Sequence, residues 1–377
     1  MEQNRIGMSD IHVGKPLPWN AYNARGQLLL KKGFVVESLS QVAALVEQGL
    51  YADASLSHED DIHSAQARET PSVLRMLNLA EKRLERLLFG VSVEPDFPAK
   101  LMEVATSVIA ATEQNSDIAL ACILLNQQTD DYPVRHGLDT AVVAILVAQS
   151  MNLTHDEIAT LTAAALTMNV GMLRQQAQLQ HKLEAPSAKE IESIHQHQLE
   201  GAGMLEGAGV HDAGWLAYVR SHHASEFGGD YPDGHAGEEI SSGTKILALA
   251  DRYCASISER KHHKSHLPST ALREIFLEKG KGIDPTLAAY FIKVLGLYPP
   301  GTLVRLNNGE IGVVSKKGDG PLTPIVHALV GPHGVALSIP VRRDTAGEPF
   351  AIKEALHVDQ ADIRFSMHQV WGEEASL

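Results

Sequence analysis

Four histidines and one aspartate carry the chemistry this sequence could perform. His136 lies in "VRHGLDTA" and His197 in "IHQHQLEGAGML", while His222 and His223 are adjacent in "VRSHHASEFGGDYPDG". Asp251 sits inside the apolar run "ILALAD". Burying a carboxylate in such a run is costly unless it is paired or bound to a cation. Neutral imidazoles and a carboxylate are the donors that hold divalent transition ions. A second feature sits beside them. "AALTMNVGML" reads as a buried helix stopping at glycine, and it places Met168 and Asn169 just before the stop.

The elements that must position these residues form three blocks. Short strands with glycine turns, followed by an apolar-periodic run, predict a small α+β module over residues 1–54. Residues 55–72, polar and acidic, predict a linker. Residues 73–298 have helical periodicity throughout. Thr154 with Glu157, and Ser187 with Glu190, are spaced as capping boxes. Asp284-Pro285 opens a helix that Gly296 closes. After Pro299-Pro300 the texture becomes β. Asn308-Gly309 marks a hairpin turn, and a second strand pair brackets Gly331 to Gly334. Residues 299–345 therefore predict a small, barrel-like β-domain. Residues 346–377 predict a C-terminal segment ending in a loose tail. The expected fold class is mainly α: a helical bundle, which the resemblance described below makes HD-type, with an N-terminal α+β module and a C-terminal β-domain.

Bulk properties narrow the function classes. The 377 residues carry a formal net charge of -14, which argues against extended nucleic acid and against an anionic membrane surface as partners. Two cysteines, Cys122 and Cys254, lie in apolar runs, so a reducing, cytoplasmic setting is expected. The start lacks a basic region followed by an apolar run, and no apolar run is long enough to span a bilayer.

In order and spacing the motifs resemble the HD-GYP family of HD phosphohydrolases, over about Asp131 to Leu295. "DYPVRHG" is similar to its leading histidine segment and "IHQHQLEGAGML" to its lone metal histidine followed by glycine. "HHASEFGGDYP" is similar to its His-His…Gly-Tyr-Pro loop, and "ILALADRYCAS" with the trailing Arg260 to its aspartate helix. The resemblance implies centres of two or three ions, Fe, Mn or similar. It implies hydrolysis of cyclic dinucleotides, chiefly cyclic di-GMP, a regulatory N-terminal domain, and in some members diguanylate cyclase partners.

By the same resemblance, Met168, Asn169 and Met172 stand where the family has its His, Asp and Lys. A thioether is a poor ligand for Mn²⁺ or Fe²⁺. Neutral asparagine does not readily bridge two ions about 3.5–4 Å apart. Further departures are Ala224, Phe227 and Asp230 in the tyrosine-proline loop, and Cys254 in the later helix. His197, His222 and His223 match ligands of one metal position, and His136 and Asp251 match ligands of the other. Three imidazoles can hold one Zn²⁺, Fe²⁺ or Mn²⁺.

Plainer readings stand beside these. His197 can be a core histidine, His136 can simply start its helix, and Asp251 can pair with Arg252 or Arg260. Arg260 and Tyr231 are candidate ligand contacts, although "RKHHKSH" also reads as a solvated basic loop. His181 and His195 read as surface residues and Cys254 as a small core residue. The expected function is a degenerate HD-GYP protein without efficient phosphodiesterase activity, a cyclic-di-GMP-linked adaptor or sensor. The other readings are an active single-metal phosphodiesterase and a scaffold that binds neither metal nor dinucleotide.

Overall fold

The structure, a computed structural model, describes residues 3–5, 16–17, 20–23, 27–36, 41, 51–53, 71–126, 132–179, 187–223, 240–258, 265–277, 283–361 and 363–377. The chain divides into two compact units, residues 1–69 and 70–377.

In the first unit, four short strands form an antiparallel sheet: β1 (Gln3–Arg5), β2 (Ala21–Tyr22), β3 (Leu28–Leu30) and β4 (Tyr51–Asp53), in the order β1-β4-β2-β3. Leu17, Ala21 and Val36 are its buried apolar residues. Most of the apolar-periodic run expected to follow the strands, residues 42–50, and residues 54–70 with most of the expected linker lie outside the described residues, while Tyr51 at the end of that run opens β4.

The second unit begins with α1 (Val73–Phe89), whose apolar residues recur every three or four positions and face inward. α2 (Phe97–Gln114) and α3 (Ser116–Leu125) follow. α4 (Tyr132–Ser150) is the central helix, buried from Pro133 to Ile145 and again at Val147 and Ala148. Its sequence shows little amphipathic pattern because it has neighbours on every side: α1, α2, α3, α5 (His155–Thr167), α9 (Ser242–Ile257) and α11 (Pro285–Leu295). A 3-10 turn (Val170–Met172) and α6 (Leu173–Leu179) lead on to α7 (Ala188–Gly207), α8 (Ala213–Ser221) and, beyond α9, α10 (Pro268–Leu277). The Thr154 and Ser187 capping boxes both form. Asp284 caps α11, and Gly296 ends it with φ +70°.

The β region is an open antiparallel sheet in the order β8-β7-β6-β5-β9, not the expected barrel: β5 (Leu303–Leu306), β6 (Ile311–Lys316), β7 (Ile325–Val330), β8 (Ala336–Asp344) and β9 (Ile352–Leu356). Alternation along β5 puts Leu303 in one apolar cluster and Val304 in another. The Asn308-Gly309 turn joins β5 to β6, with Gly309 at φ +92°. Among the described residues no single helix is long and apolar enough to cross a membrane.

Two expectations for the C-terminal segment fail. β9 lies after residue 345 yet pairs along β5. The supposed loose tail is docked. α12 (Val358–Ala361) and α13 (Met367–Trp371) lead into a last turn that buries Ala375. Trp371 Nε1 donates to Ser315 O at 2.8 Å, and Ser72 Oγ donates to Ser376 O at 2.5 Å. The tail's polar composition hid a few apolar residues that fill gaps in the core. Trp371→Ala should therefore cost about 2–4 kcal/mol of stability in urea unfolding. A loss below about 0.5 kcal/mol, usual for a surface residue, would show that the segment is not docked.

Candidate metal centre

α5 runs to Thr167, whose hydroxyl donates to Ala163 O and accepts from Trp215 Nε1, both at 2.7 Å. That second bond ties the start of α8 to the end of α5. Met168 and Asn169 follow, and the 3-10 turn then presses on α7. A Cβ on Gly171 would lie 2.3 Å from His197 O and 2.7 Å from Gly201 N. Only two glycines facing each other allow this approach, and it fixes the turn at the level of His197.

His197 on α7, and His222 and His223 at the end of α8, come together here. Their ligand-capable atoms all lie within 4.8 Å of one another. His197 and His222 are fully buried, and His223 is half-buried. His197 Nδ1 donates to Ile194 O at 2.5 Å and His222 Nδ1 donates to Val219 O at 2.8 Å. A carbonyl only accepts, so both protons belong on Nδ1 and the neutral rings point bare Nε2 lone pairs inward. Those two Nε2 atoms are 3.1 Å apart.

Two facing lone pairs need a cation between them. A proton is disfavoured: burial pulls His197 down to about 4, with His223 nearby adding to the effect. Burial, with the His223 and His197 imidazoles, lowers His222 well below its ordinary value. A metal ion fits better. Two imidazole nitrogens about 2.0–2.1 Å from a shared tetrahedral ion lie roughly 3.3 Å apart. The outer nitrogens are already held by carbonyls, as metal-binding imidazoles require.

Asp251 on α9 pairs with His136 on α4: His136 Nε2 donates to Asp251 Oδ1 at 2.7 Å. Its other oxygen lies 3.9 Å from His223 Nδ1. Burial pushes this carboxylate up, but the His136 bond and the neighbouring imidazoles hold it well below the usual carboxylate range. The His136 ring stacks on Tyr132 with centroids 5.4 Å apart, and its Nδ1 is buried without a partner.

Met168 is sealed in the hydrophobic core. Asn169 is buried at the cap of the 3-10 turn, and Met172 is half-buried. Cys254 is a buried core residue whose thiol burial pushes up. His195 is exposed. Tyr231, Arg260, Ala224, Phe227, Asp230 and His181 lie outside the described residues.

Sequence reasoning missed one network. Arg135 is buried and donates to Glu81 Oε2 at 3.0 Å, Asp139 Oδ1 at 2.9 Å and Cys122 O at 2.8 Å. The spacing of Arg135 and Asp139, one helical turn apart in an apolar helix, was the available signal.

Residues 112–287 match the family model of the HD domain. The chain is 28% identical over 219 residues to a cyclic di-GMP phosphodiesterase of Pseudomonas aeruginosa, covering 58% of this chain and 53% of that protein. It is 22% identical over 201 residues to one from Borreliella burgdorferi, covering 53% of each. It is 28% identical over 145 residues to a cyclic di-GMP phosphodiesterase response regulator of Xanthomonas campestris, covering 38% of each. The matches span about half the length of these curated relatives, or less. Among solved structures, a HDG"Y"P protein from Bdellovibrio bacteriovorus has the same fold, with a TM-score of 0.52 at 15% identity over 78% of this chain and 99% of that one.

Two predictions follow from this geometry. Gly171→Ala must push α7 off the turn, because backbone atoms meet the new Cβ, and should cost about 1–3 kcal/mol in thermal unfolding; unchanged stability would contradict the close approach. The second concerns pH in metal-free protein. His197 titrates near 6.5 when unfolded and about 4 when folded. As pH falls below 6.5 the unfolded chain binds a proton that the folded chain refuses, so stability falls. Asp139, raised to about 6 by burial against the pull of Arg135 and His136, acts in the opposite direction. Comparison with His197→Asn isolates the histidine. Between pH 7 and 5 the wild type should lose about 2 kcal/mol relative to that variant; parallel pH profiles would contradict it.

Proposed function

We propose that the helical block, which matches the HD domain over residues 112–287, is of the HD-GYP kind and that the protein is a degenerate member holding one divalent ion. It acts as a cyclic-di-GMP-linked sensor or adaptor rather than an efficient phosphodiesterase. The observation that carries this is the pair of neutral imidazoles, His197 and His222, with lone pairs converging beside His223. These three residues hold the ion. Zn²⁺ and Fe²⁺ suit imidazole donors, while Mn²⁺ favours oxygen ligands such as the water that would complete the shell.

The hydrolytic part of the family pattern is what this chain lacks. By the resemblance, Met168, Asn169 and Met172 replace the imidazole, the bridging carboxylate and the phosphate-facing cation. A buried amide neither joins two ions nor supplies the negative charge that a second dication needs nearby. The Asp251 carboxylate, which would serve the second position, is engaged by His136. The N-terminal unit is then the regulatory module, and diguanylate cyclase-type proteins are candidate partners.

A second reading, a single-metal cyclic-di-GMP phosphodiesterase, has one observation in its favour: an Asp251 oxygen 3.9 Å from His223, close enough to act on a nearby proton through water. A bound ion supplies a Lewis acid and lowers the pKa of a coordinated water.

Elemental analysis of protein purified without chelator or metal-binding tag, joined to calorimetric titration with cyclic di-GMP, separates these readings. One ion per chain, dinucleotide binding and no turnover are expected, with the ion lost in His222→Ala and His223→Ala. Metal-dependent turnover abolished by those substitutions would favour the second reading. Two ions per chain would overturn both, and neither ion nor dinucleotide binding would leave a scaffold. The triple variant Met168→His, Asn169→Asp, Met172→Lys should take up a second ion.

A further inference from the structure

Arg135 is a costly residue to bury, since its guanidinium does not shed its charge inside a protein. It is 5% exposed, and the Glu81 it engages is 7% exposed. Each of its three nitrogens is committed to a different place: Nε to Asp139 on its own helix, Nη1 to Glu81 on α1, and Nη2 to the Cys122 carbonyl on α3. A buried ion cluster is weak evidence of stability, because well-packed apolar residues of similar volume often do as well. What the planar fork adds is orientation. The bonds to α1 and α3 fix the first turn of α4 in position and rotation, and the Asp139 bond holds the fork against its own helix.

The next residue on that turn is His136. Among the described residues its Nδ1 has no partner, and the ring is held by Tyr132 stacked against it and by the 2.7 Å bond to Asp251. Asp251 in turn stands beside His223. Glu81 of α1 is thus linked to the edge of the histidine cluster through the Arg135 side chain, the backbone from Arg135 to His136, and Asp251. α1 is also the first helix of the second unit, and its start is pinned by Ser72 and Arg75 to Ser376 and Leu377.

We infer that Glu81 and Arg135 are positioning residues of the centre. Through them the placement of α1 sets the His136–Asp251 bond. This rests on the reading of His136 and Asp251 as part of the metal centre, but its first test needs no metal.

The readout is the Nε2–H proton resonance of His136 in metal-free protein, assigned by its loss in His136→Gln. Glu81→Ala and Arg135→Lys should shift or abolish it, whereas Glu81→Gln, which keeps an acceptor for the guanidinium, should restore it. Leu84→Ala, a buried apolar position on the same helix, should lower Tm and leave the resonance in place. In parallel, Co²⁺ affinity followed by absorbance should fall several-fold in Glu81→Ala and not in Leu84→Ala. An unmoved resonance in Glu81→Ala, or in Arg135→Lys should Glu81→Ala fail to fold, would overturn the inference. So would an equal shift in Leu84→Ala, which would mark a general packing effect. A wild type that takes up no Co²⁺ would remove the metal reading, and the resonance would still decide this one.

Discussion

Two imidazoles with their outer nitrogens tied to backbone carbonyls, and their inner lone pairs facing at 3.1 Å, are the constraint the rest of the helical block serves. Left alone in a dry site this arrangement is repulsive, and burial disfavours the proton that would relieve it. It persists only because α7 and α8 are held in place by other contacts. The Gly171–Gly201 approach locks α7 to the turn after α5, and the Trp215–Thr167 hydrogen bond locks α8 to the same helix end. The segment that carries Met168 and Asn169 is therefore the mechanical base of the cluster, even though its own side chains bring no charged or imidazole ligand.

On the proposed reading, that division lets a frame stand without hydrolytic ligands at its base. Met168 is fully buried among apolar neighbours, and Asn169 is buried at the N-cap position of the following turn without a side-chain capping bond. Around the second position, Asp251 has found a partner of its own in His136, so no buried charge is left uncompensated. The result is a site with three converging nitrogens and an adjacent, already committed carboxylate.

Much of this was legible in the sequence wherever the signal is local. The capping boxes at Thr154 and Ser187, the Asp284-Pro285 start, the Gly296 stop and the Asn308-Gly309 turn each encode backbone geometry within four residues, and each formed. The histidine trio could be anticipated from motif order. What local reading cannot supply is partnership at a distance. Arg135 and Glu81 are 54 positions apart, and each alone reads as an ordinary helix charge. Gly171 reads as a helix stop, yet its requirement comes from a carbonyl on another helix. Asp251 reads as an expensive carboxylate, but a local reading does not show its hydrogen bond to His136, 115 positions away. The C-terminal residues look polar, and their role depends on Trp371 and Ala375 meeting surfaces built by helices and strands far earlier in the chain.

X-ray absorption at the edge of the ion bound by protein reconstituted with Fe²⁺, Mn²⁺ or Zn²⁺ addresses the central claim most directly. The account predicts about three imidazole nitrogens near 2.0–2.1 Å for zinc, and no metal–metal scattering at about 3.5–4 Å. A metal–metal vector at that distance, or a first shell without imidazole, would contradict it.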